Sequence, residues 1–276
     1  DGSVVTWGCA DDGGNSSAVQ KQLYDVQQIQ ASGGAFAAIR SDGVVVTWGL
    51  DSLGGDSSGV QDQLHGVLRI QASTFAFAAL LSNGSVVAWG EGSFGGNCSH
   101  VQEQLQNVTQ IQATGSAFAA VRSDGSVVTW GREAAVSTSV RDQLQHVEQI
   151  QASKSAFAAI RSDGSVVTWG SERFGSDSSS VQDRLRNVRQ VQSSAGAFAA
   201  ICSTGEVVTW GRHEFGGDSS AVSEQLHDVQ QIQASRCAFA AIRSDGSVVT
   251  WGVPRHGGDS SAVQEQLHDV QQIQAS

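Results

Sequence analysis

The chain has 276 residues, and its 27 acidic against 16 basic side chains leave a formal charge of −11. Hydrophobic residues at 39% and charged residues at 16% fit a folded chain with a sizeable core, and 32 glycines beside the single Pro254 exclude collagen and proline-rich linkers. No apolar run approaches the ~18 residues of a membrane span, and the acidic balance, with only Lys21 and Lys154 as lysines, argues against a broad nucleic-acid footprint.

The chain opens at Asp1-Gly2, inside a phrase that recurs downstream, and therefore reads as an excerpt of a longer protein. That phrase, DGSVVTWG, sets the first predicted strand, because β-branched and aromatic residues in series suit a pleated chain. A variable stretch from Cys9 follows, then a Ser-rich segment, then VQQIQAS from Val26, a second predicted strand, and AFAAIR from Ala35, a third. Asp42-Gly43 marks a tight hairpin back into the next VVTWG. The same slot holds Asn83-Gly84, Asp124-Gly125, Asp163-Gly164, Thr204-Gly205 and Asp245-Gly246. Tryptophan recurs at Trp7, Trp48, Trp89, Trp130, Trp169, Trp210 and Trp251, spaced by 41, 41, 41, 39, 41 and 41 residues. Such a period identifies an array of like units, which we divide at residues 1–41, 42–82, 83–123, 124–162, 163–203, 204–244 and 245–276, the last partial, within one domain of residues 1–276. In the segment around Val263 and Leu267, one helical turn behind capping serines competes with a short outer strand, and a strand is predicted from Val270 to Ala275.

Both faces of the predicted strands are apolar, and their alanines allow close approach of one sheet to the next. Small blades stacked radially satisfy this, so an all-β, seven-repeat β-propeller with about 41 residues per blade is predicted, with an open β-solenoid as the alternative. The seventh repeat stops before its AFAAIR strand; closure would set the last QIQAS strand against the first SVVTW strand across a gap.

The phrases DG-x-VVTWG and QAS-x-x-AFAAIR resemble the repeat of the regulator-of-chromosome-condensation propeller family, over the whole chain. Where that family favours Ala-Gly-x-x-His this chain has Ala31-Ser32 and then Ala35-Phe36, and in place of Gly-Gln-Leu-Gly it has Gly54-Gly55-Asp56-Ser57-Ser58. The resemblance implies a propeller fold and a role as an interaction module of a larger protein such as a ubiquitin ligase. It also implies two alternatives, nucleotide exchange on a small GTPase and chromatin association. Tryptophan-based light sensing, known in plant members, is opposed by the placement of one Trp per strand, the slot for blade packing.

If the QIQAS strands run up, the loops after QAS and after Trp-Gly share one edge of each sheet, and the Asp-Gly hairpins lie at the other. The copies differ mostly in those two co-facial loops, the usual place for binding on a rigid scaffold. The predicted partner-binding face comprises Phe75, Glu91, Arg132, Lys154, Arg173, Arg212, His213, Arg236, Arg255 and His256. Its loops carry −4 in the first three blades (Asp11, Asp12, Asp51, Glu91) and +3 in the last four (six cations against Glu133, Glu172 and Glu214), which would orient a partner of complementary charge.

Little else points to chemistry. Cys9, Cys98, Cys202 and Cys237 occupy four different repeat slots without a C-x-x-C pair, so no metal, cofactor or catalytic group is predicted, and a reducing, intracellular location is favoured. His65, His227 and His268 share one slot, which reads as a common surface position rather than a converging site. Arg40, Arg122, Arg161 and Arg243 could form a charged ring, but pairing with the hairpin aspartates two residues on is the simpler account. The expected partner is another protein, with no membrane and no nucleic acid.

Overall fold

A computed structural model describes residues 1–132 and 136–275. By internal contact the chain divides into two compact units, Asp1–Ala135 and Val136–Ser276. Each contains three antiparallel sheets of three strands. In the first unit the sheets are Val26–Ala31, Ala35–Arg40, Val45–Gly49; Val67–Ala72, Ala76–Leu81, Val86–Gly90; and Val108–Ala113, Ala117–Arg122, Val127–Gly131. The second unit has Val147–Ala152, Ala156–Arg161, Val166–Gly170; Val188–Ser193, Ala197–Cys202, Val207–Gly211; and Val229–Ala234, Ala238–Arg243, Val248–Gly252. A sheet is thus QIQAS, AFAAIR and VVTWG in order, and the Asp-Gly hairpin that opens a sequence repeat lies inside a sheet rather than between two.

Period-2 alternation gives the middle strand two different faces. Ala35, Ala37 and Ile39 form a shallow face that packs on Phe77, Ala79 and Trp89 of the next sheet. The same match recurs between Ala76, Ala78, Leu80 and Phe118, Trp130; between Ala156, Ala158, Ile160 and Phe198, Trp210; and between Ala197, Ala199, Ile201 and Phe239, Trp251. Within each sheet the Phe and Trp rings stack, with centroids 5.1–5.3 Å apart. In five of the six stacked pairs the indole N–H is satisfied: Trp48, Trp89, Trp130, Trp210 and Trp251 donate to the carbonyls of Gly13, Gly54, Gly95, Gly175 and Gly216, at 2.9–3.1 Å, whereas Trp169 Nε1 is buried without a partner among the described residues. These tryptophans are structural, as their one-per-strand placement predicts.

Trp7 is the exception. It is 84% exposed because no AFAAIR strand precedes it in these 276 residues to supply a Phe, and residues 4–7 join no ladder. The strand predicted from Val270 to Ala275 is likewise not formed, since in every other copy QIQAS is zipped onto the AFAAIR that follows it.

Most of the Ser-rich segments resolve as short 3-10 helices, such as Ser58–Gln63 and Ser220–Gln225, the one at Thr138–Arg141 is a single α-helical turn, and none of them forms an outer strand. The predicted capping role is seen at Ser137, whose Oγ accepts from the Val140 N–H, and not at the serines before the 3-10 helices. Ser57 Oγ donates to Gln61 Oε1 and meets Thr47 Oγ1, while the first free N–H of the turn, at Ser58, goes to Asp56 Oδ1. Just before each first strand one residue is left-handed, Asp25, Gly66, Asn107, His146, Asn187 and Asp228, as is Asp269 in the same slot of the last repeat, with φ between 50° and 65°. Only Gly, Asn, Asp and His fill this slot, the residues that tolerate that region best. It lets the hairpin glycine of the preceding sheet come close, with Val108, Val188 and Val229 donating to the carbonyls of Gly84, Gly164 and Gly205.

The hairpins themselves are four-residue turns closed by Gly N–H to an Arg, Leu or Cys carbonyl, with the glycine left-handed, as at Gly43 (φ 77°). Asp124, Asp163 and Asp245 each accept from the N–H and hydroxyl of the Ser two residues on, and these bonds hold their carboxyls below the usual aspartate value of 3.8. A depressed folded-state pKa stabilises the fold above the unfolded value and loses that contribution as pH falls below it. The expected result is a melting temperature that is level from pH 7 to about 5 and falls as pH drops through about 4. Changing the three aspartates together to Asn flattens that acid limb if these turns carry it, which a calorimetric pH series reads directly.

Candidate partner-binding face

Two loops meet at the upper edge of each sheet, and the backbone fixes both. The first residue after VVTWG donates to the carbonyl of the second loop residue after QAS, in six copies: Leu50 to Gly34, Glu91 to Phe75, Arg132 to Ser116, Ser171 to Ser155, Arg212 to Gly196 and Val253 to Cys237, at 2.8–3.0 Å. The QAS serine adds a pin. Ser32, Ser73, Ser153, Ser194 and Ser235 donate to the carbonyls of Leu53, Phe94, Phe174, Phe215 and His256, 21 residues on. The longer loop winds into one 3-10 turn, as at Gly92–Phe94, Glu172–Phe174, His213–Phe215 and Pro254–His256, and ends on a left-handed glycine. Neighbouring sheets are tied as well: Gly33 donates to Thr74 and Thr74 to Gly115 in the first unit, Lys154 to Ala195 and Ala195 to Arg236 in the second. The loops are a constant backbone frame that carries changing side chains.

That frame sorts the predicted residues. Phe75 is not a free contact: it is half-buried, and its ring packs edge-on against Phe94 at 4.6 Å. Glu91 is turned inward onto its own loop, accepting from the N–H and hydroxyl of Ser93. Arg212 pairs with Glu214 at 3.1 Å and lies over the Phe215 ring. The guanidinium hydrogen bonds first, then a bond from the backbone N–H of Glu214 itself and the charge of Arg212, bring the Glu214 carboxyl down to about 2. His213 is exposed, 3.6 Å from Asp218, and His256 is half-buried, its carbonyl used by Ser235. Arg132, Lys154, Arg173, Arg236 and Arg255 are exposed, and among the described residues none of the five stands in an ion pair. Glu133, counted with these loops from sequence, lies outside the described residues.

Within the second unit the charges therefore reduce to Lys154, Arg173, Arg236 and Arg255 against Glu172 alone, once Arg212 and Glu214 cancel. Lys154 and Arg236 stand at the two ends of one hydrogen-bonded row, with Ala195 between them. The opposite edge offers no such excess: Arg40, Arg122, Arg161 and Arg243 pair with Asp42, Asp124, Asp163 and Asp245, as the simpler reading predicts. The histidine slot is a surface one, with His227 and His268 each against the aspartate that follows. All four cysteines are free thiols, and the described residues hold no cluster of metal-binding side chains. No helix among them is long and apolar enough to cross a membrane.

No protein-family model and no curated protein matches the sequence. Solved structures do match the fold. Prp20p from Saccharomyces cerevisiae, whose structure is described together with its binding to Gsp1p and histones, is 16% identical over 86% of this chain and 74% of its own, with a TM-score of 0.54. Human WBSCR16 is 17% identical over 82% and 76%, also at 0.54. The ectodomain of the receptor kinase CR4 from Physcomitrella patens is 14% identical over 82% and 64%, again at 0.54. With the all-β sheets and the repeat phrases, these likenesses give the chain the β-propeller fold of the regulator-of-chromosome-condensation proteins.

Proposed function

We propose that the chain is a non-catalytic, protein-binding module whose upper loops dock an acidic segment of another protein. The observation that supports this reading is the row of exposed cations, Lys154, Arg173, Arg236 and Arg255, on loops whose backbone does not change from copy to copy. A rigid frame holds such groups in place before a partner arrives, which lowers the ordering cost of binding. The +3 sum over the last four blades, expected from sequence, narrows to these four side chains. The module would serve within a larger protein, a ubiquitin ligase being one setting that the resemblance implies. Free thiols, three of them buried, fit a reducing compartment inside the cell.

The test is affinity capture with the whole chain beside a variant carrying Ser at residues 154, 173, 236 and 255. A partner held by the first at low salt and lost by the second supports the face; equal capture by both overturns it. Likeness to Prp20p brings in GTPase regulation as a second reading. A nucleotide-release assay separates the two, because stimulated release identifies an exchange factor and docking alone does not produce it. Every repeat has 41 residues or fewer, so no extended insertion is present to reach into a nucleotide site.

A further inference from the structure

The last strand of each sheet has one side without a partner strand, and a glutamine closes it in most repeats. Gln20, Gln61, Gln102, Gln182 and Gln264 donate through Nε2 to the carbonyls of Val4, Val45, Val86, Val166 and Val248, at 2.9–3.3 Å. Each is also held from behind: Ser16, Ser57, Cys98, Ser178 or Ser260 donates to its Oε1. Two repeats lack this glutamine: behind the Val127–Gly131 strand the equivalent position is Arg141, and behind the Val207–Gly211 strand it is the shorter Ser223. Its Oγ donates to the Ser220 carbonyl in its own turn, so the Val207 carbonyl lacks the donor that its five counterparts have.

The consequence is a groove of about 700 Å³ lined by Val207, Thr209, Ser219 and Ser223. Arg212 donates its N–H to Gly196 across the sheet, so alternation along the strand turns the N–H and C=O of Val207 and Thr209 to the groove side. An edge of this kind is a template for pairing with another chain. Four carboxylates line the groove, those of Glu172, Asp177, Glu206 and Asp218, against the guanidiniums of Arg184 and Arg212. Because Arg212 is already paired with Glu214, the groove carries an excess of negative charge. We propose that it binds a basic, extended segment of a partner protein, which adds alongside Val207–Gly211 as a further strand and sets Lys or Arg side chains against the carboxylates. This site is separate from the upper-loop cations, and neither reading depends on the other.

A fluorescent nonapeptide of alternating Lys and Val, titrated into the whole chain by anisotropy, tests it. The expected result is saturable binding that weakens at least tenfold in Ser223→Gln, which restores the plug, and at least tenfold when alternate peptide nitrogens are methylated. Ser223→Gln installs the residue found in five of the six other copies, and a melting temperature at or above that of the parent shows it is folded. The variant with Ser at residues 154, 173, 236 and 255 is expected to bind the peptide within about twofold of the parent. Equal binding by Ser223→Gln or by the methylated peptide overturns the proposal, as does equal binding of a Glu-Val counterpart, or none at all.

Discussion

Phe198→Ala is expected to lower stability by about 3–5 kcal/mol, the usual loss when a buried aromatic ring is cut to a methyl group. Phe198 is fully buried, stacks on Trp210 with centroids 5.3 Å apart, and fills the hollow that Ala156 and Ala158 of the preceding sheet leave open. The truncation removes apolar surface from both sheets at once, and the strand ladders on either side prevent collapse into the space. Trp7→Ala is the control in the same repeat vocabulary. With 84% of its surface in water, that ring is expected to contribute within about 0.5 kcal/mol. Urea unfolding of the two variants beside the parent measures both, and similar losses for the two would contradict the packing described for the Phe–Trp layer.

Gly95→Ala is the second large effect. Gly95 ends the Gly92–Phe94 turn with φ +93°, and a Cβ there would stand 2.5 Å from Cδ2 of Phe118 in the next sheet. Two costs combine, about 1–2 kcal/mol for a left-handed residue with a side chain and about 1–3 kcal/mol for forcing an atom into a packed interface. Gly257 separates them. It has nearly the same backbone, φ +92°, but nothing within 4 Å of its Cβ position. Gly257→Ala is thus expected to show the backbone cost alone, and the difference between the two variants reports how firmly one sheet holds the next. Equal losses would place the whole effect in the turn.

The repeat made most of this architecture legible in the amino-acid sequence. Alanine-rich strands announced a shallow face, and each Phe-Trp pair announced the bulk that fills it, so the stacking order followed once the period was seen. The Arg–Asp pairing at the hairpins was equally plain, because two residues of opposite charge at fixed spacing recur at one turn. Other features depend on three dimensions. Ser57, Ser178 and Ser260 look like helix caps locally, yet their hydroxyls serve a glutamine that closes a strand edge sixteen residues before it, a role no local spacing reveals. The Gln-to-Ser change at Ser223 is visible in the sequence but means nothing until that edge is known. Strand direction placed the two variable loops at one edge of each sheet, where their backbones do meet. It did not show that Phe75, Glu91 and Arg212 are engaged with their own neighbours, because Phe94, Ser93 and Glu214 reach them only through the folded turn.

Within each unit, bonds that join one sheet to the next link residues displaced by a constant number of positions, from the Trp89, Trp130, Trp210 and Trp251 indoles to the glycine 35 residues before, and from the Gly33, Thr74, Lys154 and Ala195 N–H groups to the carbonyl 41 residues after. Interfaces written this way are interchangeable. Among the 41-residue repeats of one unit, excising or inserting one period, even in mid-strand, returns these donors and acceptors to register. Such a chain can change its number of units by simple recombination between copies, and its surface loops can then diverge one at a time without renegotiating the core.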